Sequence, residues 1–441
     1  MKQRIVACLC VAVMALNSGN VVYAAEIEKL SEDMVTVEET NINSTSTAGI
    51  VASGTQLGLE WSIDGNGLLT ITGTGNYGTP AWKNHKDKIK SAKVSVTGIT
   101  STMNMFSNCT ELTKIDFTGS DFSQVTDMNQ MFHDCTSLET LDVSGLDTSK
   151  VTNMWAMFRD CSSLKTLKVN GRFCTAQVTN MGEMFRGCSG LTSLDVSSFD
   201  AGNVTDMHNM FYSCSNLTSL KLNGKFNTGN VTDMSSMFDM CKNLTSLDVS
   251  SFNTSKVTNM SCMFASCEKL TGLNISGFDT SQVIYMSSMF YRCKELTSLD
   301  VSKFNTGKVK SMAGMFWECS SLTSLNMSNF DTSNSLNMSD MFHGCSGLTS
   351  LGVGNFNTSK VKDMSDMFHG CSNLTSLDLS SFDTGKVTNY NDMLKLCFAM
   401  KSIKFPKNLS VEIPFPSIYG YHWEDEDKVT WIPQLQDLLC L

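Results

Sequence analysis

The sequence predicts an α/β solenoid of about twelve 26-residue repeats, with a parallel strand ladder on one face and short helices on the other. The motif Met-Phe-x-x-Cys, or a close variant of it, occurs twelve times. Nine of the eleven intervals between its cysteines are 26 residues long and two are 27. A fixed period of this length is typical of units that stack on one another. The cysteines are Cys109, Cys135, Cys161, Cys188, Cys214, Cys241, Cys267, Cys293, Cys319, Cys345, Cys371 and Cys397.

A single repeat, residues 257–278, shows why each unit has two parts. Its first apolar residues recur three and four positions apart, as on one face of a helix. Leu270, Leu273 and Ile275 then alternate as in a short strand. The Asp-Thr-Ser run at 279–281 favours a turn, because such side chains bond to local backbone. One repeat buries neither apolar face alone, so stacking must build the core.

Residues 1–24 predict a signal peptide. Two basic residues precede an apolar run at 5–16, and Val22 and Ala24 stand at the positions that a signal peptidase reads, so we expect cleavage after Ala24. This run is too short to span a bilayer. A lipid anchor is disfavoured because only three apolar residues precede Cys8.

The rest of the chain divides into four segments. Residues 25–52 are acidic and rich in Ser, Thr and Asn, which predicts a flexible linker. In residues 53–101, alternating apolar residues broken by glycines predict a β-hairpin cap over the first repeat's open strand edge. The solenoid occupies 102–405. Residues 406–441 leave the repeat register, and we interpret them as a C-terminal cap or tail.

The cap and the repeat together resemble a known family. Residues 59–75 (LEWSIDGNGLLTITGTG) are similar to the entry domain of BspA-like leucine-rich-repeat surface proteins. Residues 243–265 (NLTSLDVSSFNTSKVTNMSCMFA) are similar to the 26-residue repeat of bacterial surface and mycoplasma lipoprotein-associated members. The resemblance covers residues 53 to about 405. It implies a secreted or cell-surface leucine-rich-repeat protein without enzymatic activity that adheres to host matrix or to other microbes.

Attachment to the producing cell is a separate question. The sequence shows no recognisable wall-sorting signal, no terminal apolar span and no acceptable lipid-attachment cysteine. Surface-bound and released forms therefore both stay open.

The cysteine ladder has two chemical interpretations. In an exported protein it could form disulfides, but stacked repeats project their Cβ atoms in parallel, whereas a disulfide needs them to converge to about 3.8 Å. We therefore expect buried free thiols that pack as small hydrophobes. Cys174 and Cys262 lie off the ladder and are better candidates for exposed thiols. Neither Cys-x-x-Cys pairs nor clustered histidines occur at zinc-ligand spacing.

One polar position lies between the inward leucines of every strand. Lysines interrupt a run of aspartates there, which predicts relief of like-charge repulsion along a ladder of stacked strands. The alternative, a calcium or sugar site, is weaker because isolated aspartates make a poor calcium cage. This strand column comprises Asp116, Asp142, Lys168, Asp195, Lys221, Asp248, Asn274, Asp300, Asn326, Gly352, Asp378 and Lys404.

The position after each Met-Phe pair differs from repeat to repeat. We call it the variable column: Ser107, His133, Arg159, Arg186, Tyr212, Asp239, Ala265, Tyr291, Trp317, His343 and His369. Arginine and aromatic residues dominate protein interface hot spots, so this column is the candidate partner-binding surface, and we expect its side chains to be exposed. The alternative is a solvent face that varies because nothing packs on it.

Helical spacing adds two residues to the candidate surface, Trp155 beside Arg159 and His208 beside Tyr212 at i, i+4. His343 and His369 stand in adjacent repeats, but the face offers them no third ligand, so no metal site is predicted. The candidate partner-binding residues are Trp155, Arg159, Arg186, His208, Tyr212, Tyr291, Trp317, His343 and His369.

Composition and motifs exclude two classes of function. Neither a nucleophile motif nor a phosphate-binding loop occurs, so we predict no enzyme and no cofactor. The chain carries a formal net charge of −10 at pH 7, which repels nucleic acid. Two hypotheses remain: a secreted or surface adhesin with an extracellular protein or glycoprotein ligand, and a structural component that self-associates.

Overall fold

The computed structural model describes residues 49–169, 171–222 and 226–406, together with the strand residues 423–424 and 430–431. The predicted signal peptide and most of the predicted linker and C-terminal tail lie outside these residues. The described part is a β-solenoid of about 13 turns with parallel strand ladders and very little helix.

The N-terminal cap is an antiparallel sheet of three strands, β1 (Ile50–Gln56), β2 (Leu59–Asp64) and β3 (Leu68–Thr74). Strands β2 and β3 form the hairpin that the alternating apolar residues predict. The turn between β1 and β2 requires Gly58, which has φ +88° and whose Cβ would lie 2.4 Å from the Thr74 carbonyl oxygen. Strand β1 begins at Ile50, so three residues assigned to the linker belong to this sheet.

The cap continues directly into the solenoid. After a 3-10 helix at Ala81–Lys88, β4 (Ser91–Thr97) pairs in parallel with β3 on one side and with β5 (Lys114–Asp116) on the other. Trp82 is fully buried, and its Nε1 donates to the Met105 carbonyl 2.8 Å away in the first repeat. The strand edge of the first repeat is therefore covered, and β4 adds a turn to those counted in the sequence.

The strands of the repeats are three residues long and pair in parallel one period apart, as in Leu247 opposite Leu273. They are β6 (Thr140–Asp142), β7 (Thr166–Lys168), β8 (Ser193–Asp195), β9 (Ser219–Lys221), β10 (Ser246–Asp248), β11 (Gly272–Asn274), β12 (Ser376–Asp378) and β13 (Ser402–Lys404). Two further short strands, β14 (Trp423–Glu424) and β15 (Thr430–Trp431), pair antiparallel. A second ladder of single parallel bridges runs from Ser101 to Asn389.

The short helices expected on the other face are not confirmed there; the Met-Phe segments are consecutive turns. In one of them, Met157, Arg159 and Cys161 donate their N–H groups three residues back. The alternate N–H groups, such as that of Phe158, donate to the next turn. Ala156 has φ +51°, which an α-helix does not allow. Successive three-residue turns produce the same apolar spacing as a helix, so the pattern alone does not separate them.

Stacked phenylalanines form the centre of the core. Neighbouring rings are 5.5 to 5.8 Å apart between centroids and lie within 9° of parallel. All are buried, so each repeat contributes one ring to a continuous apolar column. The rings are Phe106, Phe132, Phe158, Phe185, Phe211, Phe238, Phe264, Phe290, Phe316, Phe342 and Phe368.

The twelve ladder cysteines are free and buried, as the parallel Cβ argument predicts. Each thiol from Cys135 onwards also donates to the phenylalanine carbonyl of the preceding turn, at 3.2 Å from Cys135 Sγ to Phe106 O. Burial raises the pKa of Cys161 to about 12, so this thiol stays protonated. Cys174 and Cys262 are half-buried free thiols.

The threonine of the Asp-Thr-Ser run clamps neighbouring turns together, a role beyond the turn formation that its sequence predicts. Thr254 is buried; its hydroxyl donates to the Asp279 carbonyl at 2.9 Å and accepts the Asp279 N–H at 2.8 Å. Thr280 makes the same two bonds to Asn305. One hydroxyl thus satisfies a donor and an acceptor on the next turn.

Replacing Thr254 with valine should destabilise the solenoid by about 1–3 kcal/mol, because both backbone groups of Asp279 lose their partner without gaining water. Thr258 is the matched control. It is exposed, and the Thr232 carbonyl that it contacts also receives the Thr258 N–H at 2.9 Å. Thr258→Val should change stability by less than about 0.5 kcal/mol. Urea unfolding measures both, and equal losses would contradict the clamp.

Candidate functional site

The variable column lies on the turn segments, directly outside the phenylalanine core. We expected exposed side chains, and this is wrong: the described partner-binding candidates are half-buried, and Ala265 in the same column is buried. Each turn stacks on its neighbours, so every column side chain is covered by the equivalent residues before and after it. The column forms two contact clusters.

Contacts within the column run between turns and not along a helix. Trp155 is half-buried, and its backbone N–H donates to Asn153 Oδ1. The Arg159 guanidinium donates to the carboxylates of Asp160 and Glu183. His208 and Tyr212 likewise have partners on other residues. The expected i, i+4 pairs are not among these contacts, since they depended on a helix that is not there.

The first cluster is a network of charged residues around Glu183. Arg159 Nη1 lies 2.5 Å from one Glu183 oxygen, and Arg186 Nη1 lies 3.3 Å from the other. His208 Nε2 is 3.5 Å from Glu183, and Arg159 Nε also contacts Asp160 at 3.1 Å. Three candidate residues from three turns therefore share one carboxylate.

Glu183 is the residue that sequence reasoning missed. Its side chain is 9% exposed, and a buried carboxylate is tolerated only when it is paired and hydrogen-bonded. The available signal was one acidic residue between two arginines of adjacent repeats. It was missed because the sequence analysis considered only the column position itself and the residue four before it.

Further contacts at the two ends of the charged network involve Tyr212 and two histidines. Arg186 places its guanidinium 5.0 Å from the centre of the Tyr212 ring, a cation–π contact. His208 Nδ1 lies 2.7 Å from Asp206 Oδ1, and this hydrogen bond raises the pKa of His208. At the other end, burial lowers the pKa of His133, although its Nε2 lies 3.4 Å from Asp134.

The middle of the variable column separates the two clusters. Asp239 is half-buried, and burial raises its pKa to about 6. The next position, Ala265, is buried and carries no polar group. Charge and aromatic surface are therefore both low at the centre of the column.

The second cluster is a stack of rings across four consecutive turns. Tyr291 and Trp317 are 5.6 Å apart between centroids; Trp317 and His343 are 4.3 Å apart, and His343 and His369 are 4.5 Å apart. The last two pairs lie within 14° of parallel. The structure therefore brings together four of the candidate residues that the sequence placed in one column.

An ion pair borders this stack. Arg292 binds Glu318 through Nε at 3.0 Å and through Nη2 at 3.3 Å, and its guanidinium lies 5.2 Å from the Tyr291 ring centre. Trp317 Nε1 donates to the same carboxylate at 3.4 Å. Arg292 and Glu318 were not among the predicted residues, since they follow the column position by one residue.

The strand column behaves as the charge pattern predicts. Lys221 Nζ lies 3.0 Å from Asp195 of the preceding strand, and Lys168 Nζ lies 3.4 Å from Asp142. A hydrogen bond from Ser197 is the main cause that lowers the pKa of Asp195. These groups are mostly exposed, so each pair stabilises the fold only weakly.

In the described chain, no helix is long and apolar enough to cross a membrane.

Comparison with known proteins identifies the repeats. Four overlapping stretches, 100–222, 140–243, 216–325 and 320–408, match the family described as "Mycoplasma protein of unknown function, DUF285". Together they cover well over half of the chain. No curated protein matches it.

Three solved structures match this chain, and one of them reaches a TM-score of 0.50. A leucine-rich repeat protein from Bacteroides ovatus is 15% identical with a TM-score of 0.50, over 84% of this chain and 99% of that one. A leucine-rich repeat protein from Eubacterium ventriosum is 17% identical (TM-score 0.37, 82% and 94% covered). A leucine rich cell surface protein from Faecalibacterium prausnitzii is 16% identical (0.32, 81% and 96%). The Bacteroides likeness supports the leucine-rich-repeat fold alone.

Replacing His208 with glutamine should remove a stabilisation that depends on pH. The folded pKa of His208 is raised, so its bond to Asp206 stabilises the fold fully below the unfolded value of about 6.5 and loses this effect as pH rises through the folded value. We expect the variant to lose roughly 0.5–1 kcal/mol at pH 5.5 and less at pH 8.5.

Thermal unfolding across this pH range measures the difference. Asp206→Asn is the control, because it removes the partner and should abolish the pH dependence of the His208→Gln effect. A loss that stays constant from pH 5.5 to 8.5 would contradict the ion pair.

Proposed function

Because the chain belongs to the family described as Mycoplasma protein of unknown function, DUF285, we propose that it is a secreted or cell-surface binding protein whose ligand is an extracellular protein or glycoprotein. The family match and the leucine-rich-repeat fold confirm the resemblance to BspA-like proteins seen in the sequence. Adhesion to host matrix or to another microbe is the role that this resemblance implies. Such solenoids are typically non-enzymatic scaffolds, and the proposal assigns no reaction.

The observation that carries the proposal is the first cluster of the variable column. Arg159, Arg186 and Tyr212 are residue types that dominate interface hot spots, and here they are already held in place by Glu183 and by each other. A binding surface that is ordered before the partner arrives loses less conformational entropy on binding. The half-buried column thus supports recognition better than freely moving side chains would.

The two guanidinium groups of the cluster favour acidic groups on the partner. The chain as a whole is acidic, with a formal net charge of −10, while two guanidinium groups meet at the Glu183 carboxylate. Arginine binds carboxylate groups through two parallel hydrogen bonds. We therefore place carboxylate-bearing or sulfated groups of the ligand at this cluster.

The test compares two charge-matched triple variants. The first, Arg159→Gln/Glu183→Gln/Arg186→Gln, removes two positive charges and one negative charge from the variable column. The second, Lys168→Gln/Asp195→Asn/Lys221→Gln, removes the same charges from the strand column of the same turns. Removing Glu183 together with its arginines avoids leaving a buried carboxylate unpaired.

Binding of purified residues 25–441 to immobilised matrix proteins, mucins and bacterial cells is then measured by surface plasmon resonance. We expect saturable binding by the unaltered chain, at least tenfold weaker binding by the first variant and unchanged binding by the second. Thermal unfolding checks that both variants are folded. Binding weakened only in the second variant would move the site to the strand face, and binding by none of the three proteins would refute the adhesin proposal.

A second candidate function is structural self-association. The strand face repeats the same polar groups from turn to turn, for example Asp248 and Asp300, each bonded to the serine two residues on. In the last described repeat, Leu396 and Phe398 are 42% and 65% exposed. A repetitive face and an apolar end are surfaces on which copies of one chain stack.

Self-association predicts an average mass that rises with concentration. Multi-angle light scattering of residues 25–441 from about 1 to 200 μM is expected to show dimers and larger species if this function holds. Phe398→Ser should reduce the average mass if the exposed end contributes. A constant monomer mass over the whole range excludes the structural candidate and leaves the adhesin proposal intact.

A further inference from the structure

His343 and His369 face each other from adjacent turns beside two aspartates. His369 Nδ1 lies 2.7 Å from Asp366 Oδ1, and His343 Nδ1 lies 3.3 Å from Asp340 Oδ1. Ligand atoms of His343, Asp366 and His369 all lie within 4.8 Å of one another. The sequence offered the histidine pair no third ligand, and the fold supplies Asp366 because the residue three before each histidine lies on the same side of the turn.

The donor set is incomplete without a cation. His343 Nδ1 is buried and has no hydrogen-bond partner in the described residues, since its contact with Asp340 lacks the alignment of a hydrogen bond. Asp340 and Asp366 lie on successive turns, so their carboxylates repel each other, and a buried ring nitrogen without a partner costs free energy. A bound cation would reduce the repulsion between the carboxylates and would give the ring nitrogen a partner.

The equivalent site in the first cluster shows how the molecule otherwise solves this problem. His133, Asp134 and Asp160 also bring their ligand atoms within 4.8 Å. There, however, Arg159 lies 3.1 Å from Asp160 and provides the positive charge. At the second site, the residue that follows His369 in the column is Lys395, and its ammonium group binds Asp392 at 2.9 Å.

We propose that His343, Asp366 and His369, together with Asp340, bind one divalent transition-metal ion, with Zn²⁺ as the best match. Two imidazoles and two carboxylates are ligands that Zn²⁺ prefers, in a tetrahedral set with Zn–N near 2.0–2.1 Å and Zn–O near 2.0–2.2 Å. The present separations are wider than such a set, so side-chain rotation draws the four groups together on binding. Trp317 stacks on His343 and limits how far that ring moves.

Isothermal titration of the folded chain with ZnCl₂ at pH 7.5 tests the proposal. We expect one ion per chain at this site, and at least tenfold weaker binding by His369→Asn and by Asp366→Asn. His133→Asn is the matched control, because its site already contains an arginine, and it should bind as the unaltered chain does. Affinity should fall on acidification, since protons compete for the imidazoles.

Cobalt substitution gives a second readout that separates this site from the thiols. Co²⁺ bound by imidazole and carboxylate absorbs in the visible range without the near-ultraviolet charge transfer that a thiolate produces. Unchanged zinc affinity in both His369→Asn and Asp366→Asn, or thiolate charge transfer alone, would overturn the proposal. Melting in metal-free buffer verifies that each variant is folded, and His343→Asn replaces any that is not.

Discussion

Alternate N–H groups of each Met-Phe segment donate to a carbonyl of the neighbouring turn, as Phe158 does to Met184. These hydrogen bonds hold each residue of the segment opposite the equivalent residue of the next turn, one period away. The phenylalanine column follows, because rings at equal positions must stack, and so do the cysteine bonds to phenylalanine carbonyls. A change in one turn is therefore felt first by the same position in the adjacent turns, and less by residues close in sequence.

The same stacking creates an electrostatic problem, since a charge that repeats at one position meets its own kind in the next turn. The molecule solves it in three ways. Lys221 separates aspartates on the exposed strand face. Arg159 and Arg186 surround the single buried Glu183. In the second cluster, rings occupy the column from Tyr291 to His369, and among the described residues no arginine pairs with Asp340 or Asp366, which is one basis of the metal proposal.

Much of this architecture could be predicted from the sequence, because period and alternation are set by what must be buried. The hairpin of β2 and β3, the free buried thiols and the lysine–aspartate pairs were all found in this way. The short helices were predicted but are not confirmed, because Met154, Met157 and Phe158 have the same spacing in consecutive turns as in a helix. Glu183 and Asp366 were also missed, because only the stacked turns show that each lies beside side chains of two adjacent repeats. The Thr254 clamp was also missed, since a threonine in a turn gives no sign that its hydroxyl spans two turns.

Packing between turns also changes what variation in the column means. A solvent face varies one residue at a time, whereas Arg186 contacts both Glu183 and Tyr212, and a change at any one of them removes a contact from another. Loss of both arginines would leave the buried Glu183 carboxylate with His208 in place of three nitrogen partners, at a cost of several kcal/mol. The column is therefore constrained to vary in blocks of touching residues. Two such blocks, separated by Asp239 and Ala265, give one uniform scaffold two chemically distinct surfaces: a charged one, where we propose that a macromolecular ligand binds, and a ring stack that ends in the donors of the proposed metal site.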